Sequence, residues 1–452
     1  MTPGARIAAA IDILAAIEDG RGPADDVAGE YFRRRRYIGA KDRGEIAPLV
    51  YGVLRHRASL DWWIDRAGQG RVVANARSRA FAGLLLIGEW RPEMVASCCD
   101  GDRFRPAPLT REEQHLVHAL AGRTRHHPEM PRAVANDIPE WLEPYLDRVF
   151  GQGLEREMAA LNGPAPMDLR VNLLKTDRES ARRALAGEGI RAEPTPLSPL
   201  GLRLNRRVPL AGTAAFKRGL VEVQDEGSQI AALLADARPG MRVVDFCAGA
   251  GGKTLALAAA MHNRGKLVAC DTSARRLERA AQRLRRAGIS NVERVELSSE
   301  RDKWVKRHAA KKEEGGYDRV LVDAPCLGTG TWRRNPDAKW RSGPEDLAEL
   351  VERQQDILRS AARLVRPGGQ LVYVTCSMLR EEDEAQAEAL LAAMPDFALV
   401  PAAVAWAEAI GSGYPGAHEP GQPYLRLTPA RHGTDGFFVT IFKKHKHEAT
   451  GN

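Results

Sequence analysis

The chain has 452 residues, 44% of them hydrophobic and 28% charged, and its 67 Lys+Arg against 59 Asp+Glu leave a net charge of +8. This composition excludes a disordered tail, a collagen-like fibre and a disulfide-stapled miniprotein, and the length asks for two or three domains. The basic surplus fits a polyanionic partner without identifying one.

Residues 1–135 read as helices. Ile7, Ile11, Leu14 and Ile17 keep helical spacing, as do Ile46, Leu49, Val50, Val53 and Leu54, then Phe81, Leu84, Leu85 and Gly88. Asp12 interrupts the first apolar run and Glu18-Asp19 close it, unlike a signal peptide, and no run has transmembrane length. Arg33–Arg36 form a basic run, extended by Lys41, Arg43, Arg55, His56 and Arg57. They are either a solvated helix face or a phosphate-contacting patch.

A polar, Pro-rich stretch over Arg123–Pro139 marks a boundary. Beyond it, residues 136–219 read as a small α+β adaptor: a strand over Asp168–Leu174, a helix over Ser180–Glu188 and a short strand over Leu202–Leu204. From about residue 220 to 446, strands and helices alternate. Strands are expected at Arg242–Phe246, Lys266–Cys270, Arg319–Asp323, Gln370–Thr375 and Phe437–Phe442, with helices at Leu255–Met261, Ala274–Ala287 and Pro344–Leu364. That alternation predicts an α/β fold, a parallel sheet covered by helices on both faces.

The first strand leads into Asp245-Phe246-Cys247-Ala248-Gly249-Ala250-Gly251-Gly252-Lys253-Thr254, a glycine loop opening a helix. Such a loop brings backbone amides and a positive helix end to a ligand. A P-loop, G-x-x-x-x-G-K-S/T, would need its first glycine where Cys247 stands. The dinucleotide fingerprint fails at Thr254. Asp271 ends the second strand about twenty residues on, where a carboxylate meets ribose hydroxyls. An adenosyl cofactor is the reading left.

Six cysteines form no disulfide framework: Cys98 and Cys99 are adjacent, and Cys247, Cys270, Cys326 and Cys376 are widely spaced without zinc-ligand pattern. Reduced thiols of a cytoplasmic, metal-free protein are expected. Cys326, in Asp323-Ala324-Pro325-Cys326, and Cys376, in Thr375-Cys376-Ser377, each come directly after an apolar strand and so face the crevice of the glycine loop. A thiolate added at carbon 6 of a pyrimidine makes carbon 5 nucleophilic, and a second group must assist release. Cys326, Cys376 and Asp323 supply that set; residue pattern alone leaves open which thiol attacks. Arg333, Arg334 and Lys339, just beyond Cys326, are candidates for RNA phosphates. Lys303, Lys306, Arg307, Lys311, Lys312 and the arginines of 275–286 are further basic residues, the last a solvent-facing helix.

The blocks DFCAGAGGKT, LVDAPCLGTGTWRRNPDAKW, LVYVTCSMLREEDE and DGFF resemble those of the RNA cytosine-carbon-5 methyltransferases, over about Arg170 to Lys444, and among them the bacterial ribosomal RNA, RsmB-like, branch. AKDRGEIAPLVYGVLRHR is similar to that branch's helical NusB-like RNA-binding domain. The resemblance implies a Rossmann-like class I methyltransferase sheet using S-adenosyl-L-methionine, here a monomer acting on RNA, ribosomal RNA first and transfer RNA as the alternative. It further implies Cys376 as nucleophile, Cys326 as the thiol of product release and Asp323 as a contact to cytosine and cofactor. Cys247, Ala248, Gly249, Ala250, Gly251, Gly252, Lys253 and Asp271 would hold the cofactor. Ala250 stands where the family has proline, and no aspartate comes after the third strand, where Glu296, Ser298 or a backbone amide are the substitutes at hand and the contact stays unassigned. A DNA cytosine methyltransferase, a P-loop ATPase and a non-catalytic ribosome-assembly factor are the other readings.

Overall fold

A computed structural model describes residues 1–310, 315–418 and 421–446; Lys311 and Lys312 lie outside them. It divides into two compact units, 1–164 with 331–342, and 165–330 with 343–452.

The first unit is helical. Its helices begin where the sequence caps them: Thr2 accepts from the Ala5 amide ahead of Pro3–Glu18, and Asn75 and Ser78 form a reciprocal capping box at Ala76–Leu86. Ile13, Leu14, Ile46, Val53, Phe81 and Leu116 fill one core. The compact unit runs on past the expected boundary at 135 as far as Pro164, with Asp137 tied into it. Its carboxylate accepts from the Ser59 amide at 2.9 Å and from Arg125 at 2.6 Å, and pairs with His56 at 2.9 Å.

Residues 331–342 also belong here, which corrects the reading of the basic residues after the DAPC motif. Lys339 is 2% exposed, and its Nζ donates to the Arg55 and Asp137 carbonyls at 2.8 Å and to Asn162 Oδ1 at 2.7 Å. Three donors meet three acceptors, so the side chain is an internal anchor and not a phosphate contact. Arg333 is buried too, and its carbonyl accepts from Arg55. Arg334 is half-buried. Arg55 and His56 are likewise engaged internally, whereas Arg33, Arg34, Arg36, Lys41 and Arg43 are exposed. Lys339→Met, which leaves those three oxygens without their donor, is expected to cost about 2–4 kcal/mol of stability in urea unfolding.

The second unit holds two sheets. The smaller comprises β1 (Met167–Val171), β2 (Ala192–Pro194), β3 (Gly201–Leu204) and β4 (Val221–Val223), antiparallel in the order β2-β3-β1-β4. The first strand is shorter than expected: Asn172 turns inward, its Nδ2 donating to the Gly219 and Ala287 carbonyls.

The larger sheet contains β5 (Arg242–Asp245), β6 (Lys266–Asp271), β7 (Val292–Glu296), β8 (Tyr317–Asp323), β9 (Val365–Thr375), β10 (Phe397–Val400), β11 (Leu425–Leu427) and β12 (Phe437–Lys444). The order is β10-β12-β9-β8-β5-β6-β7, with β11 on β12. Strands β5 to β9 pair in parallel, as alternation predicts. The sheet is nevertheless mixed, since β12 runs antiparallel to β9, β10 and β11. Successive apolar residues point to opposite faces and both are covered: Val244, Val268 and Val320 pack in one core, Val243, Leu267 and Leu321 in the other. Strand order reverses between β5 and β8, which opens a crevice beyond their carboxyl ends. Among the described residues no helix is long and apolar enough to cross a membrane.

Candidate active site

A cavity of about 600 Å³ lies in that crevice, lined by Cys247, Ala248, Gly249, Ala250, Gly252 and Lys253 of the glycine loop and by Asp271 and Asp323 at two strand ends. Gly249 has a φ of +55°, and a Cβ built there would meet no atom within 4 Å, so the loop leaves the space open. Gly251 does not line it; it packs on Ala280, 2.9 Å from where its Cβ would stand.

Asp271 fixes the loop's shape. One carboxylate oxygen accepts from the Gly249 amide and the other from the Ser273 amide, both at 2.8 Å, which leaves each oxygen a lone pair for a hydroxyl. Asp245 lies fully buried beneath, accepting from Thr254 at 2.6 Å, and burial pushes its carboxyl up to about 7. Thr254 is thereby spent inside the fold, and Lys253 pairs with Asp323 at 2.6 Å. Neither is free for the phosphate and magnesium duties of a P-loop.

Two supports were not legible in the sequence. Arg170, on β1, donates to the Gly252 carbonyl at 2.9 Å, and Arg283 to the Ala250 carbonyl at 2.7 Å. A single arginine in a strand or a basic helix carries no pattern that distinguishes it from a surface residue. At the far end of the cavity stand Leu297, Ile357, and the ion pair Glu300–Arg353 at 2.6 Å. Neither Glu296 nor Ser298 lines it; the Ser298 hydroxyl donates to Asp302.

Cys326 and Cys376 lie just past the neighbouring strands β8 and β9, and their sulfurs are 3.5 Å apart. The Cys376 sulfur and burial push the Cys326 thiol well up, so it is held protonated. Close approach of two backbones orders the loop between them. The Gly330 amide donates to the Cys376 carbonyl at 2.9 Å, the Gly436 amide donates to the Gly330 carbonyl at 2.8 Å, and a Cβ on Gly330 would come 2.5 Å from the Gly436 oxygen. The glycine of the terminal DGFF block thus seats the DAPC loop. Cys247 borders the cavity, and burial raises its thiol; Cys270 is buried in the sheet. Lys303, Lys306 and Arg307 are exposed.

Residues 232–443 match the family model of the 16S rRNA methyltransferases RsmB/F, and 138–211 that of the ferredoxin-like domain of RsmF/B-like methyltransferases. The ribosomal RNA small subunit methyltransferase B of Xylella fastidiosa is 34% identical over 419 residues, 88% of this chain and 91% of that one. A probable ribosomal RNA small subunit methyltransferase B of Synechocystis is 28% identical, over 93% of this chain and 95% of that one. The solved structure of PH0851 shares the fold with a TM-score of 0.76 at 24% identity, over 98% of this chain and 99% of that one.

Proposed function

The chain belongs to the RsmB/F family of 16S rRNA methyltransferases, and from that premise we propose that it methylates carbon 5 of a cytosine in ribosomal RNA through a transient bond between Cys376 and carbon 6. The observation that carries this reading is the pair of thiols 3.5 Å apart beside a glycine-loop cavity. S-adenosyl-L-methionine supplies the electrophilic methyl group that carbon 5 takes up. The open glycine loop, Asp271 at the ribose and Leu297, Ile357 and Glu300 at the adenine are the groups that would hold it.

Cys376 adds to carbon 6 as the thiolate, with the Cys326 S–H beside it as a donor. Asp323 meets the ring, and Lys253, 2.6 Å from its carboxylate, fixes its direction. Once Cys376 is a thioether, Cys326 loses the partner that held its proton and becomes easier to ionise. It can then assist removal of the carbon 5 proton, whereupon the carbon–sulfur bond breaks and Cys376 leaves as thiolate. The helical unit, with exposed Arg33, Arg34 and Arg36, serves as a NusB-like RNA-binding domain in this reading. The enzyme would act in the cytoplasm as a monomer.

Tritiated cofactor offered with 16S rRNA, transfer RNA and a DNA duplex tests the assignment. Label is expected in 5-methylcytidine from the ribosomal RNA; label confined to transfer RNA or DNA would contradict it.

A further inference from the structure

Two consecutive buried carboxyls, Glu382 and Asp383, lie next to the thiols and have no part in the steps above. Both are 0% exposed. Burial pushes both carboxyls up, which is a cost that apolar residues at these positions would avoid.

The two carboxyls grip the chain around both thiols, Asp383 around Cys376, and Glu382 chiefly around Cys326 with a further contact from the Ser377 hydroxyl. Glu382 Oε1 accepts from the Leu327 amide at 2.9 Å and from Gln354 Nε2 at 3.0 Å, and the same Gln354 nitrogen donates to the Pro325 carbonyl at 2.9 Å. Both neighbours of Cys326 are therefore held. Asp383 Oδ1 accepts from the Thr375 hydroxyl at 2.5 Å, Thr375 Oγ1 accepts from the Ser377 amide at 3.2 Å, and Arg426 pairs with Asp383 Oδ2 at 3.1 Å. Both neighbours of Cys376 are held in turn. The backbone between the two carboxyls is fixed to β9, since the Tyr373 hydroxyl donates to the Glu382 carbonyl at 2.6 Å.

We propose that Glu382 and Asp383 are positioning residues that set the separation of the two thiols, Glu382 through the Cys326 loop and Asp383 through the Cys376 strand end. The proposal rests on the thiol roles given under Proposed function. A thiol displaced by about 1 Å loses about a hundredfold in rate while ligand binding elsewhere is untouched. Glu382 acts on the release thiol, so its loss slows the step after attack and the RNA-bound protein accumulates. Asp383 acts on the attacking thiol, so its loss slows formation of that bond.

The test uses the full-length protein with ribosomal RNA and cofactor, comparing Glu382→Ala, Glu382→Gln, Gln354→Met, Asp383→Asn and Cys326→Ala. For Glu382→Ala, kcat is expected to fall about 10- to 100-fold with KM for RNA and cofactor within about threefold of wild type. Denaturation-resistant protein–RNA adduct accumulates in it, and the glutamine, which keeps the acceptor for Leu327, restores most of the rate. Asp383→Asn, which puts an amide nitrogen against Arg426 where the Oδ2 ion pair stood, is expected to slow transfer without accumulating adduct. If Glu382→Ala unfolds, Gln354→Met, which cuts the Pro325 arm of the same grip and leaves the Leu327 bond, is read in its place, with a smaller loss of kcat expected. Unchanged kcat, or a loss that tracks the fraction of unfolded protein and is not restored by glutamine, overturns the proposal. Adduct in Cys326→Ala but not in Glu382→Ala also overturns it. If Cys326→Ala itself gives no adduct, the assignment of Cys326 to release fails. The glutamine-rescued kcat loss at constant KM then still supports positioning, and its absence still overturns it.

Discussion

Replacing Cys376 with alanine is expected to lower methyl transfer to ribosomal RNA by roughly 10⁴-fold or more, because in the proposed mechanism it removes the nucleophile and not merely a contact. Replacing Cys326 is expected to have a different signature. Attack still proceeds, product release stalls, and a protein–RNA complex that survives denaturing electrophoresis builds up. The division of roles follows the family resemblance, and the geometry adds that sulfurs 3.5 Å apart cannot both be thiolates cheaply. The Cys376→Ala/Cys326→Ala double variant is expected to form no adduct. Equal, adduct-free losses in the two single variants would contradict this division of labour. Transfer is measured with tritiated cofactor and adduct by gel shift of labelled RNA.

The second large effect concerns the ion pair that joins the glycine loop to the DAPC strand. Asp323→Asn is expected to lower kcat by about 10²–10⁴, since an amide keeps the size of the carboxylate but not its ion pair with Lys253 beside the proposed cytosine site. Lys253→Met is expected to lower it by a similar factor, because Asp323 is then left without the cation 2.6 Å away that orients it. The double variant is expected to lose no more than about the larger single loss, as two residues acting through one contact are not additive. Kinetics of the three variants at saturating cofactor measure this. Additive losses would show that the pair does not act as a unit.

Part of this arrangement is legible in the chain itself, for local reasons. The helix Ala274–Ala287 is readable end to end because Ser273 caps it and Gly288 adopts the left-handed conformation that stops it. The strands β5, β6, β8 and β9 are apolar runs, and an open parallel sheet gathers the residues just past the ends of such strands along one edge. Cys326, Cys376 and the glycine loop can therefore be assigned to one crevice. Strand β7 carries no such signal because Val292-Glu293-Arg294-Val295-Glu296 is three-fifths charged, and its exposed glutamates and arginine suit an edge. Nor does alternation reveal that β12 inserts antiparallel between β9 and β10, since strand direction depends on pairing and not on pattern.

Side-chain destinations are the least legible feature. Lys339 sits in a run, Arg333 to Lys339, whose composition reads as surface, yet its partners Arg55, Asp137 and Asn162 come from distant segments of the helical unit. The ion pair Lys253–Asp323 and the grip of Glu382 on Leu327 are likewise contacts between residues far apart in sequence. The motif groups Lys253 with cofactor-binding loop residues, and only the folded arrangement shows it committed to Asp323.

The most direct measurement is to identify the sulfur bound to the base. RNA carrying 5-fluorocytosine at the target position, incubated with protein and cofactor, traps the bond at carbon 6, because fluorine cannot be removed as the proton is. After protease and nuclease digestion, mass spectrometry is expected to find the modified nucleotide on the peptide that contains Cys376, with the Cys326 peptide unmodified. The nucleotide on Cys326, or no protein-bound nucleotide while the enzyme methylates unsubstituted RNA, would contradict the account.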